Sequence, residues 1–245
     1  MPYPRLAQRG LRLRQGQLSL WIAASGVGKS QLLNNLAQRM HVPCIYWSAD
    51  TDHNDVLLRT AALWSGQPTS QVEQNMHDPA WRGEYERLVR QGDHVEWIFE
   101  SAITGEGAKQ RLDAFAEVHG RWPALLVIDN LSNTVSSQSD EWAEQKEVMV
   151  AMQRLARATG AHVAVLAHAK GPYEGGMKPI PKDGSLGNMF KVVDLGVTLH
   201  RGSEDGSILS LAIVKNRAGK DDPGARHPIN LDVDFSCGLV KGFVA

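Results

Sequence analysis

Apolar residues change period along this chain in a regular way. Leu18, Leu20 and Ile22 alternate as in a buried strand, and Leu32, Leu33, Leu36 and Met40 then recur at helical spacing. Cys44-Ile45-Tyr46-Trp47 after Pro43 reads as a second strand, and residues 54–64 as a second helix. Residues 66–93 are polar, with Pro68, Pro79 and Gly83 expected to break short helical pieces, and Trp64 and Trp81 expected to anchor these to the core. A strand over 94–99 and a helix carrying Ala108, Leu112, Phe115, Ala116 and His119 on one face follow, with His119 as a helix-end residue. The run Ala124-Leu125-Leu126-Val127-Ile128-Asp129 describes a strand buried on both faces. An amphipathic helix over 140–159, with Gln145, Met149, Met152 and Ala156 along one side, leads to another buried strand, 162–168. After a Gly-, Pro- and Lys-rich loop, 169–188, come strands at 195–201, 208–215 and 229–233, the first two joined by the hairpin turn 202–206. Strands alternating with helices predict an α/β fold: a mainly parallel central sheet flanked by helices, with antiparallel strands near the C-terminus.

Composition narrows this little. A chain of 245 residues can bury a substantial core, and the expected division is an N-terminal arm, 1–16, feeding one domain, 17–245. The arm, rich in proline, arginine and glutamine, reads equally as a frayed terminus or a docking segment. Lys and Arg number 26 against 27 Asp and Glu, so no global basic field advertises nucleic acid, and any such contact must be local or built by several subunits. Cys44 and Cys237 lack metal or disulfide spacing, and neither a membrane span nor a signal peptide is evident, so a cytoplasmic protein is expected.

The chemistry concentrates where the first strand meets the first helix. Ala23-Ala24-Ser25-Gly26-Val27-Gly28-Lys29-Ser30 is a small-residue turn whose successive N–H groups can converge at a helix N-terminus, which suits the phosphates of ATP. Ser25, Gly26, Val27, Gly28, Lys29, Ser30 and Gln31 are the expected nucleotide-binding residues, with Lys29 at the outer phosphates and the Ser30 hydroxyl on Mg2+. Ala23 stands where the phosphate-loop pattern has its first glycine, at little cost if its φ is negative. A strand-to-helix turn with an incidental lysine is the plain alternative.

Other candidates sit at later strand ends, where open α/β sheets present ligands. Asp50 is expected to position the attacking water, with Asp52 as competitor, although Thr51 or Asp52 is also good N-cap chemistry. Asp129 reads as the second metal ligand, or else as a turn starter. His168 falls where a γ-phosphate sensor would sit, or is structural. In the long loop, Lys170, Lys178 and Lys182 could follow a phosphate backbone and Tyr173 could stack on a base, or the loop is simply solvated. Lys215 and Arg217, two apart at a strand end, suit the γ-phosphate of a neighbouring subunit, or form a solvated basic turn.

Taken together, residues 10–18 leading into 23–30, Trp47-Ser48-Ala49-Asp50, Leu126-Val127-Ile128-Asp129, His168, Gly184-Ser185 through Asp194, and Val214-Lys215-Asn216-Arg217 resemble the ATPase core of DnaB-type replicative helicases, including phage primase-helicases, within the RecA-like P-loop NTPases. The resemblance spans nearly the whole chain in order. It implies ATP hydrolysis at subunit interfaces, Lys215 as piston lysine and Arg217 as arginine finger acting in trans, and His168 as phosphate sensor. It further implies a loop touching single-stranded DNA, a hexameric ring, and possible contact with a primase, loader or other replication protein in the cytoplasm of a bacterial host. Asp50 stands for the glutamate usual in the family, and the sixteen residues before the first strand leave no room for the family's amino-terminal domain. The rival expectations are a RecA-like ATP-binding assembly protein on DNA that hydrolyses slowly, and a small-molecule kinase.

Overall fold

The computed structural model describes residues 1–101, 103–131, 141–184 and 187–242. Strands β1 (Leu18–Ala23), β2 (Cys44–Ser48), β3 (Val95–Ile98), β4 (Leu125–Asp129), β5 (His162–His168), β6 (Leu195–Arg201), β7 (Ile208–Asn216), β8 (Ile229–Asp234) and β9 (Leu239–Val240) form one sheet in the order β3-β2-β4-β5-β1-β6-β7-β8-β9. The first six in sequence pair in parallel, and β7, β8 and β9 add antiparallel. The central strands are buried on both faces, which is why they read as aliphatic runs.

The two faces have separate cores. Trp21, Leu125, Val127, Ala164 and Leu166 pack against α1 (Pro4–Gln8) and α2 (Lys29–Met40) through Leu6, Leu32, Leu33 and Leu36. Leu20, Ile22, Leu126, Ile128, Val163 and Val165 meet α6 (Gly105–His119) and α7 (Glu141–Thr159) through Leu112, Phe115, Met149 and Met152. A third cluster joins α3 (His53–Ser65), α4 (Thr69–Asn75) and α5 (Pro79–Val89) to Cys237 beside β9. The N-terminal segment docks: Tyr3, Leu6 and Leu11 are fully buried, and the Tyr3 hydroxyl donates to Asn35 Oδ1 at 3.2 Å.

Some local expectations need correction. Gly83 does not break a helix but lies inside α5, because Pro79 at the first helical position starts that helix and Asp78 caps it. Trp81 does not anchor to the core: it is 37% exposed and stacks on Tyr85 along the outer side of α5. His119 ends α6 and packs on Phe115, as expected of a helix-end residue, while Ala116 beside it is only half-buried. Strand β9 carried no signal, being two residues long.

Beneath the sheet, His162 Nδ1 donates to the Arg14 carbonyl at 2.9 Å and Nε2 accepts from Ser19 Oγ at 2.8 Å, while Trp21 Nε1 donates to the same Oγ at 2.9 Å. Burial holds this ring neutral and pushes its pKa down to about 4. An unfolded histidine titrates near 6.5, so the unfolded chain binds the extra proton between those values. The stability due to neutral His162 is therefore present above pH 6.5 and lost as pH falls towards 4, by up to about 3 kcal/mol. Urea unfolding at pH 7.5 and 4.5 should show this loss, and His162→Asn should flatten it.

Candidate functional site

β1, β2, β4 and β5 are adjacent and parallel, so their carboxyl ends open onto one crevice. At the end of β1 the chain turns through Ala24 to Gly28 and enters α2 at Lys29. Gly26 (φ +70°) and Gly28 (φ +107°) take left-handed conformations that side chains resist. A Cβ on Gly28 would also lie 2.7 Å from the Phe235 ring. Ala23 is the last residue of β1, pairs with His168, and is not among the non-glycine residues of positive φ, so alanine fits there without strain.

Lys29 is buried, and desolvation lowers its pKa against the opposing pull of Asp129 and then Asp50. Asp129 ends β4 and is also buried; desolvation raises its pKa, countered by the Ser30 hydroxyl, Lys29 and Tyr46. The Tyr46 hydroxyl donates to Asp129 Oδ2 at 3.1 Å and lies 3.3 Å from the Ser30 carbonyl. Lys29 Nζ sits 3.3 Å from His168 Nδ1, and Asn130 Nδ2 reaches both Asp50 Oδ2 at 2.8 Å and His168 Nε2 at 3.2 Å. Burial and the neighbouring Lys29 lower the His168 pKa, so the ring is neutral. Side chains from four strand ends thus form one chain, Asp129 and Lys29 through His168 and Asn130 to Asp50.

Asp52 is placed elsewhere: its exposed carboxylate accepts from Asp55 N at 3.0 Å as the N-cap of α3. That satisfies the capping reading and leaves Asp50 facing the crevice. Ser30 Oγ and Asp129 offer two hard oxygens side by side, a donor set that fits Mg2+ completed by phosphate and water. Among the described residues no group of three or more His, Cys, Asp or Glu could hold an ion alone, so such a metal would arrive with its ligand.

Several wall residues carried no sequence signal. Phe235, in the turn before β9, lies over Gly28, and the Arg201 guanidinium bonds the Gly26 carbonyl at 3.2 Å. A groove of about 360 Å³ runs outward from the loop between Gln31, Arg59, Thr69 and Phe235. Tyr46 and Asn130 were legible as strand residues only.

The long loop folds back over this crevice. Gly176 packs on Val27, where a Cβ would fall 2.7 Å from Val27 Cγ2, and its carbonyl accepts from Arg201 N at 2.7 Å. Lys170 and Lys178 are exposed and Lys182 is half-buried. Tyr173 is also half-buried, its hydroxyl end lying against Gly184, which leaves only part of the ring for stacking. Ser185 lies outside the described residues.

Lys215 and Arg217 lie at the other pole. Asp194 N bonds the Leu18 carbonyl, and Arg217 N bonds the Asp194 carbonyl, which levels Arg217 with the start of β1. Lys215 Nζ donates to the Phe190 carbonyl; Arg217 pairs with Asp194 Oδ1 at 3.2 Å and reaches the Lys191 carbonyl at 3.3 Å. With Leu18 and Ala23 at opposite ends of β1, the separation from the phosphate loop is on the order of 16 Å at ~3.3 Å per residue. These cations do not serve the crevice of their own chain.

The profile of the AAA domain matches residues 2–172. The chain belongs to this family. Relatives include the Gene 65 protein of Mycobacterium phage L5, 33% identical over 93% of this chain and 86% of its own length. The Gene 65 protein of Mycobacterium phage D29 is 30% identical over 82% and 88%. Among solved structures, the ATPase domain of one DnaB-like replicative helicase superposes with a TM-score of 0.79 over 93% of this AAA-domain chain and 84% of that one, at 13% identity. A second DnaB-like replicative helicase, described with its interactions with primase, gives 0.78 over 93% and 57%, also at 13% identity. The fold is that of the DnaB-like, RecA-like ATPase domains, as the motif order implied.

Proposed function

We propose that this AAA-domain chain is a DNA-dependent ATPase, acting as a helicase or translocase in phage replication or recombination inside the bacterial host. The observation that supports this most is spatial: cradle, metal ligands and water-orienting carboxylate share one crevice, while two further cations sit at the opposite pole. The site is completed when the Lys215–Arg217 pole of one copy meets the phosphate loop of the next. A hexameric ring does this for every copy, with exposed Lys170 and Lys178 and half-buried Lys182 offered to single-stranded DNA in its channel and the outer surface available to a primase or loader.

The backbone of residues 25–31 and Lys29 bind the phosphates, and Phe235 gives the base a stacking face. Ser30 and Asp129 would hold Mg2+, which when bound supplies positive charge to the phosphate oxygens. Asp50, aimed by Asn130, orients water and accepts its proton. Phosphate binding also relieves Lys29: the added negative charge favours its ammonium, against which burial otherwise works.

Measuring ATP turnover with and without single-stranded DNA tests this reading. DNA should raise turnover by roughly tenfold or more, as expected when nucleic acid aligns the trans-acting cations. Tight ATP binding and assembly with no DNA-stimulated hydrolysis would instead favour the assembly-protein reading, and phosphorylation of a metabolite by a monomer would favour a kinase.

A further inference from the structure

The hydrogens around His168 do not balance. Asn130 must present its amide nitrogen to Asp50 Oδ2 at 2.8 Å, since its oxygen there would face a carboxylate. That same nitrogen lies 3.2 Å from His168 Nε2, with a second hydrogen to give. On the other side of the ring, the Lys29 ammonium, which only donates, lies 3.3 Å from Nδ1. A neutral imidazole has one bare nitrogen, yet both neighbours need one. While Lys29 occupies Nδ1, the ring proton sits on Nε2 and points donor-to-donor at Asn130.

A phosphate that draws Lys29 away removes the conflict. One proton leaves Nε2 and one arrives at Nδ1, which can then donate to a phosphate oxygen; bare Nε2 accepts the second Asn130 hydrogen. Asn130 is then held on both sides, and its grip on Asp50 is fixed in direction. We infer that Asn130 is a positioning residue that carries the tautomer of His168, set by whether phosphate has taken Lys29, to the carboxylate of Asp50. This rests on the reading of the crevice as an ATP site, and it makes the hydrolytic geometry conditional on a bound triphosphate.

The test uses the full chain labelled with ¹⁵N-histidine, with and without a non-hydrolysable ATP analogue, alongside the analogue's Kd. Imidazole ¹⁵N shifts should report the proton on Nε2 without nucleotide and on Nδ1 with it. Asn130→Ala should keep the analogue Kd within about threefold and lose roughly 10²-fold in turnover, the size of a misplaced reacting group. An analogue that binds while His168 keeps its Nε2–H tautomer overturns the inference and leaves the ATP site standing, as would full turnover by Asn130→Ala. An analogue that does not bind overturns both.

Discussion

Arg217→Ala is expected to lower kcat for ATP by on the order of 10³, the scale of a lost arginine finger, while leaving ATP affinity nearly unchanged. The reasoning is positional. Arg217 sits level with Leu18, on the order of 16 Å along β1 from the phosphate loop, so it contributes nothing to binding within its own chain. Its role begins only when a second copy brings a γ-phosphate to it. Loss of fold is not a competing explanation, because the Arg217 side chain is about half exposed and its bond to Asp194 is the kind worth under about 1 kcal/mol. Asp194 keeps its other contact, accepting from Leu18 N at 3.1 Å. Turnover and thermal melting measured on the same preparation check both halves: a large loss of kcat with Tm unchanged within a few degrees.

Lys29→Ala acts in the opposite manner. This residue is buried, faces Asp129 and Asp50, and is the cation of the cradle itself, so its removal should weaken ATP binding roughly 10–100-fold. A further loss on the order of 10²–10³ in kcat should follow from losing a donor to the developing charge. The unliganded fold should survive, since desolvation already works against the charged form of Lys29 and alanine removes that penalty. Fluorescent-nucleotide titration gives the first number and steady-state turnover the second. Equal affinity for wild type and variant would dissociate Lys29 from the phosphates.

How much of this could be read from residues alone follows from range. Parallel strands covered on both faces must be aliphatic, so Leu125 to Ile128 and Val163 to Ala167 declared themselves, and the polar residues at their tips, Asp129 and His168, stood out by contrast. The phosphate loop was legible because its chemistry is local, contained in a few residues at one strand end. What escaped depends on distant parts of the chain meeting. Phe235 reaches Gly28 from more than two hundred residues away, and Arg201 reaches Gly26 across the sheet. Tyr46 and Asn130 were hidden inside strand signals, since alternation gives which face a residue takes and says nothing about which hydroxyl or amide it meets there. Asp52 shows the converse: two carboxylates two residues apart were indistinguishable as sequence, and the start of α3 sorted them by claiming Asp52 as its cap. The opposite placement of Lys215 and Arg217 needed the antiparallel register of β7, which reverses the chain and carries them to the foot of β1.

The account turns on one active site built from two copies, and hybrid assemblies test that most directly. Chains carrying Lys29→Ala and chains carrying Arg217→Ala, each inactive alone, should regain a measurable fraction of wild-type turnover when mixed, because some junctions then pair an intact cradle with an intact arginine. Mixtures that stay inactive, beside a wild-type chain that remains fully active when diluted to a demonstrated monomer, would contradict it.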